Sequence, residues 1–152
     1  MHRRFTADYG SHAAELTRLF PGVQEGLQTL ADAGWRLAVC TNKPEAATCT
    51  LLTAFGLDAL VATVGGGDSF PACKPDPAHV VATLRLAGGE PGDAVAVGGY
   101  RNDVLAASGA GVPCTFAAWG YGGPEMAEGA VAVAQHLAEV PRLADGLLAQ
   151  QL

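Results

Sequence analysis

Short apolar runs alternate along the chain with segments in which apolar residues recur at helical spacing. The runs predict buried strands, because they are too short for helices and are bounded by glycine, proline or polar residues; they cover 35–40, 60–64, 94–97, 114–117 and 130–134. The intervening segments predict helices at 11–20, 23–33, 44–55, 77–87, 103–109 and 141–148. This alternation predicts an α/β fold, a Rossmann-like three-layer parallel sheet with helices on both faces.

Glycine or polar residues follow four of the predicted strands. Thr41 and Asn42 follow the first strand, three glycines begin at Gly65, a glycine pair begins at Gly98, and a Trp-Gly-Tyr-Gly segment begins at Trp119. The carboxyl ends of parallel strands meet at one edge of the sheet, and ligands bind beyond that edge. We therefore expect the functional residues to lie there.

Thr41 and Asn42 stand between a predicted strand and the start of a predicted helix. A helix start has free backbone N–H groups and a partial positive charge, which suit a phosphate group. Both residues are therefore candidates for phosphate binding. The alternative is that one of them only caps the helix.

Lys74 is the third candidate for phosphate binding. Only two of the nine basic residues are lysines, Lys43 and Lys74, and Lys74 opens a Lys-Pro-Asp-Pro segment whose prolines stiffen the backbone. A point charge held in this way suits an anion, and the alternative is a solvated loop lysine. Asp103 follows the strand at 94–97 and opens a helix, where it could be a cap, a metal ligand, or a carboxylate outside the ligand set of a metal ion.

Composition limits the classes of protein that remain. The 152 residues correspond to one domain, and 49% of them are hydrophobic, which excludes a disordered chain. The net charge of −6 argues against nucleic acid or an anionic membrane as the partner. No apolar run reaches about 18 residues, so no membrane span is expected. The four cysteines have no C-x-x-C spacing, which favours buried free thiols in a reducing cytoplasm over zinc or disulfides.

Three segments, taken in order, resemble the second, third and fourth motifs of the haloacid dehalogenase-like hydrolases, and most closely those of the phosphoglycolate phosphatases. They are Thr-Asn-Lys-Pro at 41–44, Gly-Gly-Asp at 66–68 with Lys-Pro-Asp-Pro at 74–77, and Gly-Gly-Tyr-Arg-Asn-Asp at 98–103. Phe-Pro-Gly-Val at 20–23 resembles the point where the chain of these proteins returns from a helical cap into the core. The resemblance thus implies a cap remnant at 1–20 and a core domain at 21–152.

The resemblance also implies a reaction, namely hydrolysis of a phosphoric monoester through an aspartyl-phosphate, with Mg²⁺ offsetting the charge. It implies that Thr41, Asn42 and Lys74 contact the phosphate and that Asp103 lies near the metal ion. The implied partner is a small phosphorylated metabolite or inorganic phosphate.

Two departures from the family's motifs argue against activity. The first motif, Asp-x-Asp-x-Thr, supplies the nucleophile and the acid/base group, and no Asp-x-Asp occurs in this chain. In the fourth motif, Gly99 stands where the metal-binding Asp belongs and Tyr100 stands where a Ser belongs. We therefore expect a phosphoglycolate phosphatase-like chain that is inactive by itself, lacks catalytic residues and binds Mg²⁺ poorly. The alternative is a non-catalytic module that kept the fold in order to bind a partner.

The first motif also belongs to the family's central strand, so the resemblance implies an incomplete sheet with a gap between the strands ending near Cys40 and Val97. Unpaired backbone groups in such a gap are costly. We expect association to fill it, as a homodimer or with a separately encoded segment, ahead of direct pairing of the two strands. Insertion of residues 3–9 ranks last, because Arg3 and Arg4 suit a central strand poorly. Without the nucleophile, Lys74 is expected to lack a partner and to attract an anion.

Overall fold

Strands and helices alternate through the part of the chain that the computed structural model describes, which comprises residues 3–7 and 22–149. The strands are β1 (Arg3–Ala7), β2 (Trp35–Cys40), β3 (Val61–Gly65), β4 (Ala94–Gly98), β5 (Cys114–Ala117) and β6 (Ala132–Ala134). The helices are α1 (Val23–Asp32), α2 (Glu45–Ala54), α3 (Pro77–Leu86), α4 (Arg101–Gly109) and α5 (Val140–Ala149). Short 3-10 helices lie at Pro91–Asp93, Pro124–Ala127 and Leu137–Glu139.

The six strands form one parallel sheet in the order β3-β2-β1-β4-β5-β6. This arrangement confirms the predicted fold class. The bounds of β2 and β5 agree with the prediction, and the other predicted elements within the described residues begin and end within two residues of it. The helix predicted at 11–20 and the predicted domain boundary at 20/21 lie outside the described residues.

Helices cover both faces of the sheet, and β4 illustrates the arrangement. Val95 and Val97 pack into the core that α1 and α5 close, whereas Ala94 and Ala96 pack into the core that α3 and α4 close. All five residues of β4 are buried. A strand buried on both faces has apolar residues at consecutive positions, which is why these strands stand out in the sequence as continuous apolar runs.

The N-terminal segment, β1, occupies the centre of the sheet. Arg3–Ala7 pairs in parallel with Trp35–Val39 of β2 on one side, and its last four residues pair with Ala94–Val97 of β4 on the other. The expected ranking, with association first and insertion of this segment last, is therefore wrong. The physical reason is that a central strand must first satisfy the main-chain N–H and C=O groups of its neighbours, and any residue except proline can do so. With this position occupied, the gap no longer argues for a partner.

The four cysteines divide equally between the interior and the surface. Cys40 and Cys114 are buried as expected, but Cys49 on α2 and Cys73 in the loop before α3 are exposed, so the expectation of buried thiols is wrong for these two. A cysteine beside an apolar run faces solvent when its position lies on the outer side of a helix or in a loop.

Among the described residues, no helix has the length and hydropathy that crossing a membrane requires.

Candidate functional site

The three candidate segments meet at the carboxyl edge of the sheet. β2 ends at Cys40, Lys74 lies just before α3, and Asp103 lies in the first turn of α4. The Lys74 ammonium donates to the carbonyl oxygen of Cys40 at 2.8 Å and to Asp103 Oδ1 at 2.5 Å. Lys74 is 4% exposed and Asp103 is 6% exposed, which excludes the alternative of a solvated loop lysine.

The expectation that Lys74 lacks a partner is therefore wrong, because it forms a buried ion pair with Asp103. A buried ammonium without a counter-charge would cost several kcal/mol. Asp103 supplies that charge because α3 and α4 pack against each other, with Lys74 just before α3 and Asp103 in the first turn of α4. An anion at this edge would consequently have to share the ammonium with Asp103.

Thr41 and Asn42 lie at the same edge and are held by backbone groups. The Thr41 N–H donates to the Gly65 carbonyl at 2.9 Å, and Thr41 Oγ1 accepts from the Lys43 N–H at 3.1 Å. Asn42 Nδ2 donates to the Lys74 carbonyl at 2.9 Å. The loop after β2 is thus hydrogen-bonded to the segment that carries the ammonium, and the structure brings the three predicted phosphate-binding residues into one connected group.

The start of α2 is capped from a distant part of the chain. The residue at the N-cap is Pro44, and the Glu45 N–H donates to Asp68 Oδ1 at 2.8 Å, from 23 residues further along the chain. Asp68 therefore satisfies this amide in place of Thr41 or Asn42, which argues against the interpretation of those two residues as caps. Asp68 follows the glycines after β3, and nothing in the local sequence of α2 indicates that it caps this helix.

Both carboxylate oxygens of Asp103 form hydrogen bonds. Its Oδ1 bonds the buried ammonium, and its Oδ2 accepts from the Tyr100 N–H, which opens α4, at 3.0 Å. A Cβ on Gly98 would lie 2.3 Å from the Cβ of Asp103, so packing requires glycine there. A Cβ on Gly99 would lie 3.6 Å from the Ala117 carbonyl oxygen, an ordinary contact. The first glycine thus has a packing reason, and the second has none.

The described residues do not fit a magnesium ion. Mg²⁺ requires near-octahedral oxygen ligation. Within residues 3–7 and 22–149 there is no group of three or more His, Cys, Asp or Glu side chains that could hold a metal ion. Both oxygens of Asp103 already accept hydrogen bonds, and Gly99 has no side chain to add.

A buried thiol adjoins the ion pair. Burial, followed by the negative charge of Asp103, raises the pKa of Cys114 from 9.0 to about 12, against the smaller opposing effects of Lys74 and a backbone hydrogen bond at Gly98. A thiol with this pKa stays protonated at neutral pH and is not a nucleophile. Cys114 is therefore part of the packing behind the site.

His79 belongs to the same group, and the sequence pattern did not identify it. It is fully buried on α3, its Nδ1 accepts from the Lys74 N–H at 3.0 Å, and its Nε2 lies 3.0 Å from the Gly65 carbonyl oxygen. The one signal available was a histidine in the otherwise apolar segment 77–82. Its role depends on contacts that only the folded chain creates.

The sequence matches the family model for haloacid dehalogenase-like hydrolases over residues 1–117. Phosphoglycolate phosphatase 1 of Pseudomonas aeruginosa is 42% identical over 137 residues, which are 89% of this chain and 50% of that protein. A phosphoglycolate phosphatase of Haemophilus influenzae is 41% identical over 118 residues, 78% of this chain and 53% of that protein. The chain thus spans about half the length of these curated relatives.

Solved structures resemble the fold over most of this chain. A predicted phosphoglycolate phosphatase from Haemophilus somnus has a TM-score of 0.79 at 33% identity and covers 86% of this chain and 59% of its own. CbbY from Rhodobacter sphaeroides, solved in complex with phosphate, has a TM-score of 0.70 at 30% identity and covers 79% of this chain and 55% of its own.

Proposed function

The chain belongs to the haloacid dehalogenase-like hydrolase family, and on that premise we propose that its carboxyl-edge site binds the phosphate group of a small phosphorylated metabolite, as in a phosphoglycolate phosphatase. The observation that carries the proposal is that Thr41, Asn42 and Lys74 lie together at one edge of the sheet and are joined by hydrogen bonds. The first two belong to the family's second motif and Lys74 belongs to its third. Phosphate in the related CbbY structure supports the same ligand chemistry.

Each of the three residues has a group suited to a phosphate oxygen. Thr41 Oγ1 accepts from the Lys43 N–H, and its own hydrogen has no acceptor among the described residues. The Asn42 main-chain N–H likewise donates to no other described group. Lys74 supplies a positive charge that Asp103 already balances in part. We therefore expect weak, millimolar phosphate binding, equivalent to roughly −4 kcal/mol.

We propose that this 152-residue chain does not by itself hydrolyse phosphate esters. It contains no Asp-x-Asp, and Gly99 stands in place of an acidic side chain in the fourth motif. Loss of a covalent nucleophile typically lowers the rate by several orders of magnitude. With Asp103 committed to Lys74 and to α4, we also propose that Mg²⁺ binds poorly.

Two further proposals concern the setting of the site. Free thiols at the surface, Cys49 and Cys73, support a reducing, cytoplasmic location. The division into a cap remnant at 1–20 and a core at 21–152 follows the family pattern, in which the motifs of the site all belong to the core.

The experiment is a titration of the ¹⁵N-labelled chain with inorganic phosphate, followed through the amide signals of residues 41–43 and 74. Thr41→Val removes the hydroxyl and keeps the shape of the side chain. It should weaken binding by about tenfold or more, since a hydrogen bond to a charged group contributes about 1.5–3 kcal/mol.

Thr48→Val is the matched control, because Thr48 is also buried but its hydroxyl bonds Pro44 O within α2. It should leave the phosphate affinity unchanged. Equal affinities in the two variants, or no signal change in the unsubstituted chain at about 100 mM phosphate, far above the dissociation constant of about 1 mM expected, would refute the site. The same samples should hydrolyse p-nitrophenyl phosphate no faster than a mock purification.

A further inference from the structure

His79 is a fully buried titratable residue to which the proposed function gives no role. Its two ring nitrogens face different partners, the Lys74 N–H at 3.0 Å from Nδ1 and the Gly65 carbonyl oxygen at 3.0 Å from Nε2. A main-chain N–H can only donate and a carbonyl can only accept. The ring is therefore neutral, with the proton on Nε2 and an unprotonated Nδ1.

The Gly65 carbonyl connects His79 to the second half of the site. The same oxygen accepts from the Thr41 N–H at 2.9 Å. One imidazole ring therefore joins the main chain that carries Lys74 to the end of β3, and the end of β3 in turn holds Thr41. The two residues come from loops more than 30 positions apart, and this relay links them in addition to the bond from Asn42 Nδ2 to the Lys74 carbonyl.

The ring is itself held in place. Phe70 packs edge-to-face against it with the ring centroids 6.0 Å apart, and Thr83 Oγ1 donates to the His79 carbonyl at 2.8 Å. A Cβ on Gly65 would lie 2.0 Å from Thr83 Oγ1, so β3 and α3 are in close contact beside the ring. A side chain confined in this way acts as a rigid spacer.

We propose that His79 is a positioning residue of the phosphate site. It touches no ligand. Its unprotonated Nδ1 holds the Lys74 main chain so that the ammonium reaches Cys40 O and Asp103, and its Nε2–H fixes β3 and with it Thr41. The inference rests on the proposed phosphate-binding function and adds to it a residue that belongs to neither of the two phosphate-binding segments.

The test compares three substitutions in the full chain with inorganic phosphate as the probe. His79→Leu removes both bonds, whereas His79→Asn places an amide oxygen near the position of Nδ1 and restores the acceptor for the Lys74 N–H. Loss of a side chain that orients a ligand-binding residue lowers affinity about tenfold or more at metal sites, and we expect a similar loss for His79→Leu. We expect His79→Asn to stay within about threefold of the unsubstituted chain.

Thr48→Val is the matched control. It removes another buried hydrogen bond, from Thr48 Oγ1 to Pro44 O, that is not part of the relay through His79, and should leave the phosphate affinity unchanged. Long-range ¹H–¹⁵N spectra of the histidine ring should show an unprotonated Nδ1. Equal losses in His79→Leu and Thr48→Val, unchanged affinity in His79→Leu, or a protonated Nδ1 would each overturn the proposal.

Amide exchange of Lys74 separates this proposal from the proposed function. If the unsubstituted chain does not bind phosphate, the function fails, and exchange still decides the role of His79. Faster exchange in His79→Leu than in His79→Asn supports that role, and equal rates contradict it. If His79→Leu does not fold, His79→Gln takes its place, because it keeps the donor to Gly65 and loses the acceptor for Lys74; it should exchange faster than His79→Asn, and equal rates again contradict the proposal.

Discussion

The buried pair of Lys74 and Asp103 should be the most sensitive point of the site to substitution. Both side chains are more than nine-tenths buried and bonded to each other, so removing either partner breaks a buried ion pair. Breaking such a pair costs about 3–5 kcal/mol. Domains have total stabilities of about 5–15 kcal/mol, so Lys74→Met or Asp103→Asn should remove a large fraction of the unfolding free energy.

The size of the effect follows from the contacts. Asp103→Asn keeps an oxygen for the Tyr100 N–H, so most of its cost comes from the lost ion pair with Lys74. The double variant Lys74→Met/Asp103→Asn removes both charges of the pair. Its loss of unfolding free energy should be smaller, by at least about 1 kcal/mol, than the sum of the losses in the two single variants.

Urea denaturation at neutral pH measures these losses, with the slope checked for constancy. In thermal melts, each single variant should lower Tm by about 6–20 °C. The control is the surface ion pair of Arg101 and Glu128, in which Arg101 Nη1 lies 3.6 Å from Glu128 Oε2. The two side chains are 48% and 81% exposed. Glu128→Gln should change stability by less than about 1 kcal/mol. Additive losses in the double variant, or a loss for Asp103→Asn no larger than that for Glu128→Gln, would refute the reasoning.

Two other predictions follow from the surroundings of this pair. Gly98→Ala should destabilise the chain by about 1–3 kcal/mol, because its Cβ would lie 2.3 Å from a buried Cβ, while Gly99→Ala should cost less; equal midpoints in urea would contradict this. The raised pKa of Cys114 means that the folded chain keeps a thiol proton that the unfolded chain loses above pH 9.0, so unfolding free energy should fall between pH 9.0 and about 12, by up to about 1.4 kcal/mol per pH unit. Urea denaturation across this pH range should show that the unfolding free energy of Cys114→Ala falls less steeply with pH than that of the unsubstituted chain. An equal fall in both would exclude the thiol as the cause.

The sequence by itself determined the elements whose signals are local. β2 and β5 have the bounds that their apolar runs predicted, because strands buried on both faces need apolar residues at consecutive positions. Thr41 and Asn42 were identifiable because they follow a strand whose end lies at the edge where ligands bind. Lys74 was identifiable because it opens a proline-stiffened segment before a helix.

Only the tertiary structure decided which groups pair across that edge. β1 carries two arginines and no apolar run, and it enters the centre of the sheet through main-chain pairing that does not depend on side-chain type. The pairing of Lys74 with Asp103 joins residues 29 positions apart, and the capping of α2 by Asp68 spans 23 positions. Such contacts depend on how helices pack over the sheet, and the charge balance of the site depends on them. A local pattern identifies Lys74 as a candidate, but only the packing of α3 against α4 buries it beside the carboxylate of Asp103.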